Sequence, residues 1–357
     1  MNAQRLGLVG LFVLSTACAT APAEQAQTED LKQAKVKVAE IDLVSDRPGA
    51  ATLDKNLVNP WGIAFNPAGP VWIANNHSGT TTVYDDAGAL LLTATLPAAK
   101  GSTGPAAPTG QVFNEASSDF KGDQFVFDGE DGRVYGWKPT LGAKARADFS
   151  ASGAIYKGLA IASNENGDQH LYLTDFHNGK VTVLDRNYQP VTLTGSFADP
   201  AIPAGYAPFN AQELEGEIYV TFAKQDANAE DDDHAPGRGY VDVFDTEGQL
   251  IRRLVSRGVL NSPWGLAIAP DSFGSLAGML LVGNFGDGKI NVFDVHASNG
   301  KGGEKVVSKG ALATKAKHTL AIDGLWALAV GPDGDLYFTA GSNGEDNGLF
   351  GKLDVAN

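Results

Sequence analysis

Four short segments of this chain place an oxygen-bearing side chain at the same position, and two of them add an imidazole two residues later. The segments are Asn75–Gly79, Asp128–Gly132, Asp175–Gly179 and Asn284–Gly288. Their first residues are Asn75, Asp128, Asp175 and Asn284; their third residues are His77, Glu130, His177 and Gly286. Amide and carboxylate oxygens suit a hard cation such as Ca²⁺. Recruiting His77 and His177 would suit Zn²⁺ or Cu²⁺ instead. The same residues also make ordinary turns, because Asn, Asp and Gly cap backbone N–H groups and tolerate positive φ. Histidine has no such turn preference, so His77 and His177 stand as candidate ligands or catalytic bases.

A second set lies where a strand begins: Trp61, Thr109, Lys157, Phe209, Trp264 and Trp326. Trp61, Phe209, Trp264 and Trp326 could form a rim on which a ligand stacks, or could pack between neighbouring units. Lys157 is the exception in the set. It could pair with Asp128 or Asp175, bind an anion, or act as a base with a lowered pKa. A third feature is the acidic stretch Lys224–Gly237, with Asp226, Asn228, Asp231, Asp232 and Asp233. It lacks the central Gly and distal Glu of an EF-hand loop. It reads as a solvated loop, or as a lid or metal loop over the same rim.

These residues need elements to position them, and the chain supplies a repeat. The segments Asn59–Ala64, Pro108–Val112, Tyr156–Ala160, Pro208–Gln212, Ser262–Ala267 and Gly324–Ala329 each carry a small residue or Asn at the centre of an apolar run. A β-rich segment follows each one, such as Val71–Ala74 or Leu336–Thr339. Then come a turn and a third strand, often ending in aspartate, as in Thr82–Asp85 or Val241–Asp245. Period-two alternation and Gly-rich turns argue for strands. The tandem repeat predicts an all-β, six-bladed propeller over residues 36–357. Its central glycines are expected where inner strands approach closely. The last repeat stops after its third strand, near Leu353. The segment Val36–Val44 is expected to supply the missing outer strand and close the ring.

Among 357 residues there are 43 glycines and one cysteine, and the net charge is −15. A chain this acidic, with no basic run, is a poor nucleic-acid ligand. One cysteine allows no intrachain disulfide. No P-loop, dinucleotide fingerprint or flavin signal is present, and no nucleophile elbow. Arg5, the apolar run Leu6–Leu14 and the small residues up to Cys18 have the form of a signal peptide. Leu14–Cys18 resembles a lipobox, with Ser15 where Leu is usual. Residues 1–18 are therefore expected to be a lipoprotein-type leader with Cys18 lipidated, and 19–35 a flexible tether. The resemblance implies an exported lipoprotein, periplasmic or at the cell surface. Ala19 points to the outer membrane, and the lipid anchor would be the sole membrane contact. A closed ring is expected to be a monomer.

Across residues 40 to 355 the chain resembles a bacterial family of exported, largely uncharacterised six-bladed propellers. The stretches Leu43–Asp46, Asn59–Ala64, Pro108–Gly110, Tyr156–Ala160, Thr174–Gly179, Ala223–Asp226 and Gly239–Phe244 carry the resemblance. More distantly it resembles NHL-repeat and SMP-30/gluconolactonase propellers. Members of the latter hold a divalent cation in the channel with Asp, Asn and Glu and hydrolyse lactones or phosphoesters. Two readings follow. One is a protein that binds a small molecule or an envelope partner at the channel mouth, with or without a divalent metal (Ca²⁺ or Zn²⁺). The alternative is a metal-dependent hydrolase with Asn75, Asp128, Asp175 and Asn284 on the metal and His77, His177 or Lys157 as catalytic groups.

Overall fold

The computed structural model describes residues 33–67, 69–299 and 303–355. The expected leader, Cys18 and most of the expected tether lie outside the described residues. The architecture is all-β and propeller-like. β1 (Gln33–Ser45) and the short β2 (Thr52–Leu53) come first. The up-and-down groups then follow: β3 (Pro60–Phe65), β4 (Val71–Asn75), β5 (Thr80–Tyr84) and β6 (Leu90–Thr95); β7 (Pro108–Phe113), β8 (Phe125–Gly129), β9 (Arg133–Lys138) and β10 (Gly142–Asp148). Next are β11 (Tyr156–Ser163), β12 (Gln169–Asp175) and β13 (Lys180–Asp185), then β14 (Tyr206–Leu214), β15 (Glu217–Lys224), β16 (Tyr240–Phe244) and β17 (Leu250–Ser256). The chain ends with β18 (Pro263–Ile268), β19 (Leu280–Asn284), β20 (Ile290–Ser298) and β21 (Glu304–Thr314), and with β22 (Leu325–Val330), β23 (Leu336–Ala340) and β24 (Leu349–Val355).

The pairing makes five sheets rather than separate four-stranded blades throughout. β1 runs antiparallel to β24, with Ile41 opposite Lys352, so the N-terminal strand does complete the last group. It also runs parallel to β21, with Gln33 opposite Ala311, which fuses the last two groups into one sheet of nine strands. β1 therefore begins at Gln33, ahead of the expected boundary, because β21 offers those residues an open edge. The group β11–β13 has three strands. Its fourth position is taken by irregular chain containing Pro190, Pro200 and Pro203, which cannot donate to a ladder.

Neighbouring first strands touch in a closed cycle: β3 with β7, β7 with β11, β11 with β14, β14 with β18, β18 with β22, and β22 with β3. The core follows the same cycle as wedges between adjacent sheets. Trp72 and Val83 meet Phe125 and Phe127; Val126 and Val134 meet Leu171 and Leu173; Tyr337 and Phe350 meet Ile73 and Tyr84. The second strands are buried on both faces, as in β4, β8 and β19. Each such aliphatic or aromatic side chain contributes roughly 1.5–3 kcal/mol on burial. The central glycines have the expected reason. A Cβ on Gly62 would lie 2.7 Å from Thr109 O, and one on Gly265 would lie 2.6 Å from Trp326 O.

Candidate functional site: the channel mouth

The first strands start at one end of the channel, and the residues at their starts do not form an open rim. Trp61, Phe209, Trp264 and Trp326 are only 1–4% exposed. They pack together with Phe176, Ala207, Ala223 and Phe285 as a plug across the axis. Trp61 stacks on Trp326 at 3.5 Å between centroids, Phe285 stacks on Trp326 at 4.0 Å, and Trp264 meets both tryptophans edge-on. Of the two readings of these aromatics, packing holds: they face one another and not an open rim. The rings pack on one another across a narrow axis, where exposing them would cost more, while Trp61 Nε1 is buried without a partner among the described residues. Trp264 Nε1 donates to Lys157 O and Trp326 Nε1 to Asn59 Oδ1.

Lys157 lies over this plug, with Nζ 5.3 Å from the Trp61 ring. Its side chain is 2% exposed. Its partners are neither Asp128 nor Asp175. They are Glu130 Oε1 at 2.5 Å and Asp231 Oδ1 at 2.7 Å. Burial alone would lower the lysine pKa, but Glu130 and Asp231 outweigh it and hold the ammonium above the ordinary lysine range. Of the roles the sequence leaves open for Lys157, the geometry fits the ion pair, though with other acids than Asp128 or Asp175.

Other groups surround it. Asn76 Nδ2 donates to Glu130 Oε2 at 2.8 Å, and Asn59 Nδ2 donates to Glu345 Oε2 at 2.6 Å. Burial raises the pKa of Glu345, against the hydrogen bond from Asn59, and the charges of Glu130 and Asp231 raise it further. Burial likewise raises Asp232, which faces Ser262, His234 and Lys157. The mouth therefore gathers Asn59, Asn76, Glu130, Lys157, Asp231, Asp232, Ser262 and Glu345, which come from every group of strands. Four of these are carboxylates, set against one lysine.

Asp231 and Asp232 arrive on the acidic insertion, which folds onto the mouth. Gln225 bridges to Asp232, Asp226 N donates to Asp231 O, and Asp226 Oδ1 accepts from the N–H groups of Asn228 and Glu230. Asp233 anchors its far side through Lys224 at 2.7 Å and through Arg238.

The turn residues behave differently. Asn75 Nδ2 donates to Thr80 and Thr82. Asp128 Oδ1 accepts from Thr109 Oγ1 and Gly110 N, while burial pushes its pKa up to about 7. Asp175 accepts from Asn178, and Asn284 Nδ2 donates to Val259 O and Asp287. These bonds stay within each repeat or reach the adjoining chain, and they leave Asn75 Oδ1, Asp128 Oδ2 and Asn284 Oδ1 buried without a hydrogen-bond partner among the described residues. His77 and His177 are exposed; His177 Nδ1 lies 3.2 Å from Ala229 O of the insertion. Among the described residues, no three of His, Cys, Asp and Glu are grouped as a metal would require. The reasoning from sequence missed Glu130 and Glu345 as mouth residues. Glu130 had a signal, since it shares the turn slot of His77 and His177. Glu345 had none, because its repeat breaks the turn pattern.

No family model matches the sequence. Over 326 residues the chain is 32% identical to uncharacterized protein L690 of Acanthamoeba polyphaga mimivirus, covering 85% of this chain and 82% of that protein. It is 33% identical over 332 residues to uncharacterized protein R648 of the same virus, covering 87% and 78%. The chain belongs to the family of these proteins. Both relatives are viral, not the bacterial exported proteins that the sequence resembles, and no activity is named for this family. Among solved structures, the soluble aldose sugar dehydrogenase of Escherichia coli superposes with a TM-score of 0.55 at 13% identity, covering 90% of this chain and 100% of that one. Virginiamycin B lyase of Staphylococcus aureus gives 0.53 at 11%, with the same coverage. At such identities the likeness establishes the propeller-like fold shared with the family and nothing of its chemistry.

Proposed function

We propose that this chain is a six-bladed propeller that binds a small cationic ligand, rich in hydrogen-bond donors, at its channel mouth. The closed cycle of first strands supports the blade count, with β1 as the outer strand of the last blade. One observation carries the binding reading: side chains from every strand group converge around Lys157, and four carboxylates there face a single ammonium. Carboxyl groups thus outnumber the ammonium over an aromatic floor. An ammonium or guanidinium group would complement both, through charge and through the ring faces. The metal-dependent hydrolase remains the alternative. Three of its assumed ligands, Asn75, Asp128 and Asn284, keep a buried oxygen without a partner among the described residues, which suits that alternative; the ion pairs of Lys157, which hold its proton, favour binding.

Tryptophan emission tests this, because Trp61, Trp264 and Trp326 lie beneath the site. A panel of small amines, guanidines, sugars and carboxylates is titrated into the full chain. Amines or guanidines should saturate the signal, with affinity at least tenfold weaker in Glu345→Gln. Saturation by carboxylates alone would sink the reading. Lactone turnover that needs a metal and is lost in Asp175→Ala would establish the alternative.

We also infer export and lipid anchoring from Arg5–Cys18. Metabolic labelling with an alkyne fatty acid in a bacterial host should mark the wild-type chain and not Cys18→Ser; equal labelling of both would refute it.

A further inference from the structure

The seam between the acidic insertion and the start of β18 holds three buried oxygens whose needs the chain does not meet. They are Asp232 Oδ2, Asn261 Oδ1 and Ser262 Oγ, none with a hydrogen-bond partner among the described residues. The Asp232 side chain is 7% exposed, Asn261 is 4% exposed and Ser262 is fully buried. They lie together. The Ser262 hydroxyl is beside the Asp232 carboxyl. A Cβ placed on Gly286 would sit 2.5 Å from Asn261 Oδ1 and 2.7 Å from the Cβ of His234, whose Nδ1 is 3.5 Å from Asp232 Oδ2.

The backbone around these side chains is fully engaged. Ser262 N donates to Arg238 O, Phe285 N to Ser262 O and Gly286 N to Asn261 O. Ser262 is held at φ 46, a left-handed conformation that costs a non-glycine residue of order 1–3 kcal/mol. The nearby cations are also occupied: Lys157 by Glu130 and Asp231, Arg238 by Asp233. Asp232 keeps a 3.5 Å contact to His234, the neighbouring Ser262 hydroxyl and the more distant charge of Lys157. A buried carboxylate without a matching charge is costly, and orphaned oxygens add to the cost.

We propose that a hard divalent cation, of the Ca²⁺ class, binds here and fastens the insertion to β18. Asp232, Asn261 and Ser262 supply an all-oxygen donor set, and water completes the six to eight ligands such an ion takes. A water alone would meet the hydrogen bonds but leave the Asp232 charge uncompensated. The site takes Asp232 and Ser262 from the mouth, so it deepens the mouth-ligand reading; amine binding that persists in Asp232→Asn while Ca²⁺ binding is lost separates the two.

Calorimetric titration of CaCl₂ into chelator-washed full-length protein tests it, read beside limited proteolysis within residues 225–239. One equivalent should bind, and cleavage there should slow several-fold. Asp232→Asn should weaken binding at least tenfold, while Glu230→Gln, an exposed acid in the same loop, should leave it unchanged. Should Asp232→Asn fail to fold, Ser262→Ala removes one ligand without altering charge and should still weaken binding several-fold. Absence of saturable Ca²⁺ binding at millimolar concentration overturns the proposal. So does binding that is indifferent to both variants, or Zn²⁺ binding without Ca²⁺ binding that depends on His234.

Discussion

The same strands feed both ends of the channel, and the two ends differ in kind. Where the first strands begin, the axis is plugged by tryptophans and crowned by Glu130, Lys157, Asp231, Asp232 and Glu345. Where they finish, they leave a cavity of about 370 Å³ lined by Ile63, Phe65, Val112, Leu159, Asn210 and Leu328, with Trp264 on its lining. The first end is built by turns and the insertion, whose residues differ from repeat to repeat. The second is built by the strands themselves, small or apolar at most positions, with Gln111, Asn210, Gln212 and Glu213 as its polar members. Chemistry has gathered where the repeat is broken.

The largest blow to this contrast should be Lys157→Met. It leaves Glu130 and Asp231 beside two more carboxylates with no cation. Because Asp231 is 73% exposed, the loss should fall short of a fully buried pair, roughly 2–4 kcal/mol in urea unfolding. Lys157→Met with Glu130→Gln should recover part of it. A loss under 0.5 kcal/mol for the single variant would mean the crown is only solvated charge.

Gly62→Ala tests the strand framework common to both ends. Its new methyl meets the β7 backbone, which cannot swing aside as a side chain can, so destabilisation of about 1–3 kcal/mol is expected. A neutral outcome would show that the inner strands are free to part.

Asp128 sharpens the comparison by pH. Burial lifts its folded pKa to about 7, above the ordinary carboxyl value of 3.8. The fold therefore holds this proton more tightly than the unfolded chain does. Its effect is to make stability fall as pH rises from about 4 to 7 and then level off. Asp128→Asn should flatten that part of the melting-temperature profile. Asp242, buried and also raised to about 7 with Arg253 opposing and Asp199 reinforcing the rise, should preserve a residual slope. An unchanged profile in Asp128→Asn would show that the carboxyl is solvated in solution.

The smallest effects belong to the exposed imidazoles. His77→Ala and His177→Ala should each change stability by less than about 0.5 kcal/mol. A larger loss for His177→Ala would reveal that its contact with Ala229 holds the insertion closed.

Much of the fold was readable from residue order, because period-two burial and repeat spacing are local signals. β1 could be assigned to the last group since the final repeat visibly lacked a strand. Its second pairing, with β21, could not be foreseen, because a parallel contact between sheets leaves no local trace. The site was less legible for a related reason. Lys157 stood out as the odd residue of its slot, yet its partners come from a turn of another group and from the insertion. Turn alignment pointed to Asp128 and Asp175, which the fold spends on nearby backbone and side-chain donors. The aromatic slots were seen, but whether four aromatics face water or one another depends on the channel width, which no single strand encodes.

The double engagement of β1 also has a consequence in time. Ala39 pairs with Asp354, so the first strand to be synthesised must wait for the last residues to emerge. At roughly 5–20 residues per second that wait is on the order of tens of seconds. During it β1 lacks β24, and until Glu304–Thr314 emerge it lacks β21 as well, so Ala34, Val38, Leu43 and Val44, buried in the finished fold, stay uncovered. The ring thus closes late, when β24 reaches β1. A truncation of a few C-terminal residues should harm the first strand as much as the last.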